Sequence, residues 1–205
     1  MKNIAIVLFD RIEVLDFAGP FEVFSVCGAH GEHKGHFNVY TVAERSPVIA
    51  RGGLTLTPNY LFDNCPTPDI FLVPGGGGYT DSGVPFGSRK EMDNPAMLEW
   101  VKKKNESAEL VLSVCTGSLI LGKAGLLDGL KATTHWKSID QLRAAAPNTT
   151  IIDDKRWVDN GRVITSAGVS AGIDMSLYVI EKLLGKGVAS ETARSMQYDH
   201  WMEKV

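Results

Sequence analysis

Short unbroken apolar runs, set apart by longer amphipathic stretches, constrain this chain more than any other feature of its sequence. Ile4 to Phe9 is six apolar residues in a row, Ile70 to Val73 is four, and Leu110 to Val114 carries one serine among four aliphatics. Runs this short that do not alternate with polar residues suit strands covered on both faces. The spacing of Phe17, Phe21, Val23 and Phe24 predicts a helix over about 17–27. A second helix is expected after Asn94, a good N-cap, with Pro95 at its first position and Lys102, Lys103 and Lys104 complementing its C-terminal dipole. Two more are expected over roughly 170–184 and 189–201. Phe37 to Val42 and short stretches around 48–50 and 54–57 read as further strands. Asp159-Asn160-Gly161, between RWV and RVITS, predicts a hairpin with a type I′ turn. Strands alternating with helices predict one α/β domain over 1–205, a flavodoxin-like three-layer sandwich with a mostly parallel central sheet.

Composition excludes several classes. At 205 residues the chain can bury roughly 70% of its unfolded surface, so it needs neither disulfides nor metal to hold a core. A hydrophobic fraction of 44% rules out disorder, and a net charge of -3 supplies no footprint for nucleic acid or a membrane surface. No apolar run approaches the ~18 residues of a membrane span. The opening MKNIAIVLFD meets Asp10 and Arg11 too early for a signal peptide and reads as a first buried strand. Cys27, Cys65 and Cys115 are odd in number and lack metal-ligand spacing, so free thiols in the cytoplasm are expected. His30, His33 and His36 recur at spacing three, but no firm helix or acidic partner set accompanies them, and a metal is not expected there.

Ligands of open α/β sheets bind beyond the carboxyl ends of the strands. Cys115 closes the run Leu110 to Val114, and Thr116-Gly117-Ser118 opens a helix after it. This strand–nucleophile–helix order is a nucleophile elbow, in which the helix N-terminus is expected to favour a thiolate. A cysteine after an apolar strand can also be a plain packing residue, which is the reading for Cys27 and Cys65. The amides of Gly75 and Gly76, in the glycine run after Val73-Pro74, could form an oxyanion hole with the N–H of Thr116. Asp16, flanked by apolar residues, is a candidate buried acid with a raised pKa, or else a helix N-cap. His135 is either a further site residue that meets the substrate or a satisfied strand-end histidine. Tyr79 to Asp93 reads as a long loop that could shape access.

Taken together, Val114-Cys115-Thr116-Gly117-Ser118, Leu126-Leu127-Asp128-Gly129, Ala132-Thr133-Thr134-His135-Trp136, Leu15-Asp16-Phe17-Ala18-Gly19-Pro20, Val73-Pro74-Gly75-Gly76 and Ser170-Ala171-Gly172-Ile173-Asp174 resemble the DJ-1/PfpI superfamily, of glutamine-amidotransferase-like fold. The resemblance runs from about residue 3 to 200 and is nearest to the isonitrile-hydrating branch and to sensor domains of AraC-type regulators. It implies that Cys115 is the nucleophile, Asp16 its acidic partner, Thr116 the residue after the nucleophile, and Gly75 and Gly76 the facing turn. The implied chemistry is a lyase reaction without cofactor or metal: thiolate attack on a small-molecule isonitrile, then hydrolysis of a thioimidate to a formamide. A homodimer with the site near its interface is implied as well. Thr116 stands where the protease-like branch has histidine, and Asp16 where the DJ-1 and glyoxalase-like branches have glutamate, so proteolytic and glyoxalase-like activities are secondary alternatives. A non-catalytic ligand or redox sensor using Cys115 is another. The chain ends at Val205, without the helix-turn-helix region of the regulators, so DNA binding is not expected.

Overall fold

The computed structural model describes residues 1–28 and 35–198. Strands β1 (Lys2–Leu8), β2 (Phe37–Ala43), β3 (Tyr60–Leu61), β4 (Ile70–Val73), β5 (Leu110–Ser113), β6 (Trp157–Asp159) and β7 (Val163–Ser166) form one sheet in the order β6-β7-β5-β4-β1-β2-β3. Every neighbouring pair is parallel except β6 with β7. All four residues of β4 and all four of β5 are buried. Successive side chains of a strand point to opposite faces, so both faces of the sheet centre are covered, as the unalternating apolar runs predict.

Among the described residues, seven helices flank the sheet: α1 (Val14–Val26), α2 (Ser88–Glu91), α3 (Pro95–Asn105), α4 (Gly117–Lys123), α5 (Ile139–Ala145), α6 (Ala171–Leu184) and α7 (Lys186–Ser195). Helices α1, α6 and α7 pack against one another, while α2, α3 and α5 gather round α4. Aromatic contacts tie strands to helices, Phe24 of α1 meeting Phe37 edge-on at 5.5 Å and Phe71 of β4 meeting Trp100 of α3 at 5.6 Å. Burying a side chain of this size contributes about 2–3 kcal/mol. The expected start of α3 holds: the Asn94 side chain accepts from the Ala96 N–H at 3.1 Å, ahead of Pro95.

Several local expectations are corrected. The first helix begins at Val14, and its N-cap residue Glu13 makes no side-chain cap. Its start is set from outside, by the Glu13 N–H donating to the Gly75 carbonyl at 3.0 Å, so Asp16 lies inside the first turn and caps nothing. The strands expected near 48–50 and 54–57 do form, as an antiparallel ribbon of Val48–Ile49 and Thr55–Leu56 outside the main sheet. The β6–β7 hairpin forms, but Asn160 bonds Val163 and leaves Gly161 and Arg162 at the tip. Only Gly161, at φ 87°, has positive φ there, which excludes a type I′ turn. The stretch from Tyr79 to Asp93 is ordered too: Gly77–Tyr79 pairs with Pro85–Gly87, and α2 follows. The helix expected over 189–201 runs instead over Lys186–Ser195, with Gln197 at φ 52° after its end, and the segment holding His30 and His33 lies outside the described residues.

Candidate active site

Four adjacent strands deliver their carboxyl ends to one place. Past β5, the Cys115 N–H donates to the carbonyl of Ala167 beyond β7 at 3.0 Å, and its own carbonyl accepts from Thr134 Oγ1 at 2.9 Å and Ser118 Oγ at 3.1 Å. These bonds hold Cys115 at φ 55°, a left-handed conformation costing a residue with a side chain about 1–2 kcal/mol. The elbow is pressed against the end of β4: a Cβ at Gly117 would stand 1.9 Å from the Val73 carbonyl oxygen, so only glycine fits. The strain is the backbone signature expected of a nucleophile elbow.

Asp16 reaches this elbow from the first turn of α1 and is fully buried. Its Oδ2 accepts from the Gly75 N–H at 3.0 Å; Oδ1 has no hydrogen-bond partner of normal geometry, and the Cys115 thiol is the polar side chain that bears on the carboxyl. Gly75 has to be glycine, because a Cβ there would come 2.4 Å from the Thr116 nitrogen and 3.0 Å from Asp16 Oδ2. Gly76, at φ 118°, donates its N–H to Thr116 Oγ1 at 3.0 Å. Both glycine amides are therefore engaged in holding Asp16 and Thr116. The N–H groups that face the sulfur are those of Thr116 and Val169.

Burial dominates the electrostatics. It pushes the Asp16 carboxyl up to about 7, with the Glu13 charge adding to the rise and the Gly75 and Cys115 hydrogen bonds opposing it. Burial, reinforced by the Asp16 charge, pushes the Cys115 thiol up to about 12, against the pull of the Thr116 and Val169 N–H groups and the Thr116 hydroxyl. The helix N-terminus therefore does not make a resting thiolate here. Burial thus favours the neutral thiol over the thiolate.

Thr116 is also the hub of a polar cluster absent from the sequence reading. Ser88 Oγ donates to the Gly76 carbonyl at 2.7 Å and stands 2.8 Å from Thr116 Oγ1. Arg89 donates from Nη1 to Thr116 Oγ1 at 3.3 Å, from Nη2 to Ser138 Oγ at 2.7 Å and from Nε to Gln141 Oε1 at 3.2 Å. Both residues lie in the stretch read as loop; the only hint was the glycine punctuation before them, ending at Gly87 with φ 63°. His135 is half-buried beside the site, its Nδ1 accepting from the Lys137 N–H at 3.2 Å and its ring stacked on Trp136. Burial and the Arg89 and Lys137 charges hold it below the usual histidine range, so it is neutral. It is not among the groups that bear on the sulfur. Cys27 is buried and Cys65 half-buried, both as free thiols. Among the described residues, no cluster of His, Cys, Asp and Glu is arranged to hold a metal ion, and no helix is long and apolar enough to cross a membrane.

Comparison with known proteins agrees with this fold. The model of the DJ-1/PfpI family matches residues 2–182. An isonitrile hydratase of Pseudomonas putida is 34% identical over 197 residues, covering 96% of this chain and 78% of the relative. An HTH-type transcriptional regulator of Pseudomonas aeruginosa is 29% identical over 91% of this chain but only 52% of its own length. Among solved structures, a ThiJ/PfpI family protein from Pseudomonas syringae superposes with a TM-score of 0.84 at 30% identity, over 97% of this chain and 75% of its own. Drosophila melanogaster DJ-1beta, at 20% identity, shares the fold with a TM-score of 0.77 over 96% of this chain and 97% of its own.

Proposed function

The chain belongs to the DJ-1/PfpI family, and from that premise we propose that it is a cysteine-dependent enzyme adding water to a small electrophile, most sharply an isonitrile hydrated to an N-substituted formamide. The observation that carries this reading is the buried pair of Asp16 and Cys115, an acid with one oxygen left unbonded set against a thiol on a strained elbow. With one proton shared between them, the pair reaches a reactive tautomer in which sulfur is anionic and Asp16 is protonated. Sulfur attacks the terminal carbon of R–N≡C while Asp16 passes the former thiol proton to that carbon, giving R–N=CH–S–Cys115. Water then adds to the thioimidate carbon, the C–S bond breaks, nitrogen keeps a proton and the product leaves as R–NH–CHO. Cys115 recovers its proton, and neither cofactor nor metal is needed.

The remaining residues take supporting roles. The amides of Gly75 and Gly76 orient Asp16 and Thr116, and the N–H groups of Thr116 and Val169 are the donors for an oxyanion on the tetrahedral adduct. His135, neutral and half-buried, lines the substrate side. A cytoplasmic homodimer fits the reading, with free thiols and with Leu15, Ile49 and Leu54 exposed.

The test is formamide production from cyclohexyl isonitrile by the wild type and by Cys115→Ala. Turnover by the wild type alone is expected; a folded wild type without turnover, or equal turnover by both, rejects the proposal. The likeness to transcriptional regulators favours a second reading, a ligand-sensing domain, which predicts stoichiometric ligand binding without product. Peroxide sensing and proteolysis are supported less well, since the thiol is 6% exposed with its pKa raised, and Thr116 follows it where a dyad would need histidine.

A further inference from the structure

Two residues with side chains are left-handed at this site, Cys115 at φ 55° and Val169 at φ 48°. A β-branched residue is an outlier in that region, and such a conformation persists only where its surroundings over-determine it. The segment that contains Val169 is also what holds Cys115, whose N–H donates to the carbonyls of Ser166 at 3.2 Å and Ala167 at 3.0 Å. One residue grips that segment at both ends. The Arg156 carbonyl accepts from the Ala167 N–H at 2.8 Å. Its half-buried guanidinium donates from Nη2 to Ser170 Oγ at 3.4 Å and from Nε to Oδ2 of Asp174, in the first turn of α6. Asp174 is buried, and its Oδ1 accepts from the Tyr198 hydroxyl at 2.8 Å, so both carboxylate oxygens are bonded. The segment has little room to shift: a Cβ at Gly168 would stand 2.3 Å from His135 Cδ2, and one at Gly172 would stand 2.9 Å from both γ-carbons of Val114.

We propose that Arg156, paired with Asp174, is a positioning residue for Cys115: it fixes the turn over 167–170 and, through the Ala167 carbonyl, holds the elbow in its left-handed conformation. Stability alone is a poor reason for the pair, because replacing a buried ion pair by apolar residues is often neutral or stabilising. What a planar guanidinium with fixed donors supplies is geometry. Here its two prongs fall on Ser170 and Asp174, just beyond Val169, while the carbonyl of the same residue holds Ala167 just before it. The strained residue is thus bracketed from one side of the sheet edge. The inference rests on Cys115 being the site nucleophile, and it does not depend on hydration as the reaction.

The test reads the elbow by amide hydrogen exchange, followed by NMR in the wild type, in Arg156→Met and in the double variant Arg156→Met/Asp174→Asn. The Cys115 N–H is held by Ser166 and Ala167, whereas the Val114 N–H, one residue earlier, is held by the Val73 carbonyl at 3.1 Å and serves as the internal control. A loss of global stability opens both amides alike, and a loss of positioning opens Cys115 alone. In Arg156→Met the Cys115 rate relative to Val114 is expected to rise by roughly tenfold or more, as for a local opening. Arg156→Met also strands the Asp174 carboxylate, which is destabilising by itself. The double variant removes that charge, so its denaturation midpoint should return towards the wild type while the Cys115-to-Val114 ratio stays raised. In the isonitrile assay both variants should lose roughly tenfold or more in kcat, as for a misplaced reacting atom, with KM within about threefold of the wild type. A wild-type ratio in the variants, a ratio that recovers together with the midpoint in the double variant, or an unchanged kcat overturns the proposal. Should Arg156→Met fail to fold, the double variant decides by the same comparison. If the wild type itself gives no turnover, the exchange ratio decides the proposal and the hydratase reading fails alone.

Discussion

Replacing Asp16 by asparagine should make the protein more stable while disabling it, and by an amount that depends on pH in a calculable way. Asp16 is fully buried, and its carboxyl is pushed from 3.8 to about 7. A carboxyl whose folded pKa is raised binds its proton more tightly in the native state. Its contribution is therefore most favourable below the unfolded pKa and is lost as pH rises towards the folded one. Each pKa unit is worth 1.36 kcal/mol, so the ionisable side chain costs the fold about 2 kcal/mol at pH 5 and about 4 kcal/mol at pH 8. Asparagine can still accept from the Gly75 N–H but does not titrate. The stability difference, Asp16→Asn minus wild type, should then widen by about 2–3 kcal/mol between pH 5 and pH 8, measured by urea unfolding. In a domain of this size that is roughly 5–10 °C in Tm. Taking a difference of differences cancels the unknown fixed cost of burying the amide. Over the same range, turnover should fall by about 10²–10⁴, because the variant cannot take the thiol proton or return it. A gap that stays flat with pH would refute the raised pKa, and full activity in the variant would remove Asp16 from the chemistry.

Two further outcomes follow from the same geometry. kcat/KM should rise through a pKa near 7 as Asp16 ionises, then hold a plateau to at least pH 10, since the thiol is pushed up to about 12; a bell-shaped profile falling near pH 8 would contradict the shared-proton pair. Gly75→Ala would set a Cβ 2.4 Å from the Thr116 nitrogen and 2.6 Å from Thr116 Oγ1, so it should cost about 1–3 kcal/mol in denaturant unfolding and displace the Asp16 contact. A variant with wild-type stability and turnover would show that this turn is slack.

How much of this was legible beforehand differs between backbone and site. The covered strands β1, β4 and β5 are visible as apolar runs because a strand buried on both faces has no polar position to spare. The start of α3 is visible because Asn94 and Pro95 satisfy local requirements of a helix end. The hairpin was expected, but its turn was placed one residue early, since which residue sits at the tip depends on the pairing of Asn160 with Val163 across the strands. The strand Pro85–Gly87 and α2 were read as part of a loop because the glycines and polar residues around them are ambiguous until Gly76 and Gly87 pack against their neighbours.

By itself, then, the sequence determined an α/β domain with a cysteine at the end of one of its buried strands, a consequence of local rules: hydrophobic period, capping, and the turn that a strand–nucleophile–helix order demands. The resemblance to the DJ-1/PfpI superfamily added Asp16, Gly75, Gly76 and Thr116 as the company that cysteine was expected to keep. Only the tertiary structure decided that the glycine amides hold Asp16 and Thr116, that Ser88 and Arg89 join them, and that the thiol carries its proton at rest. The reason is that hydrogen-bond partners and desolvation belong to what surrounds a group in space. For Cys115 those surroundings come from the ends of four strands that lie far apart along the chain.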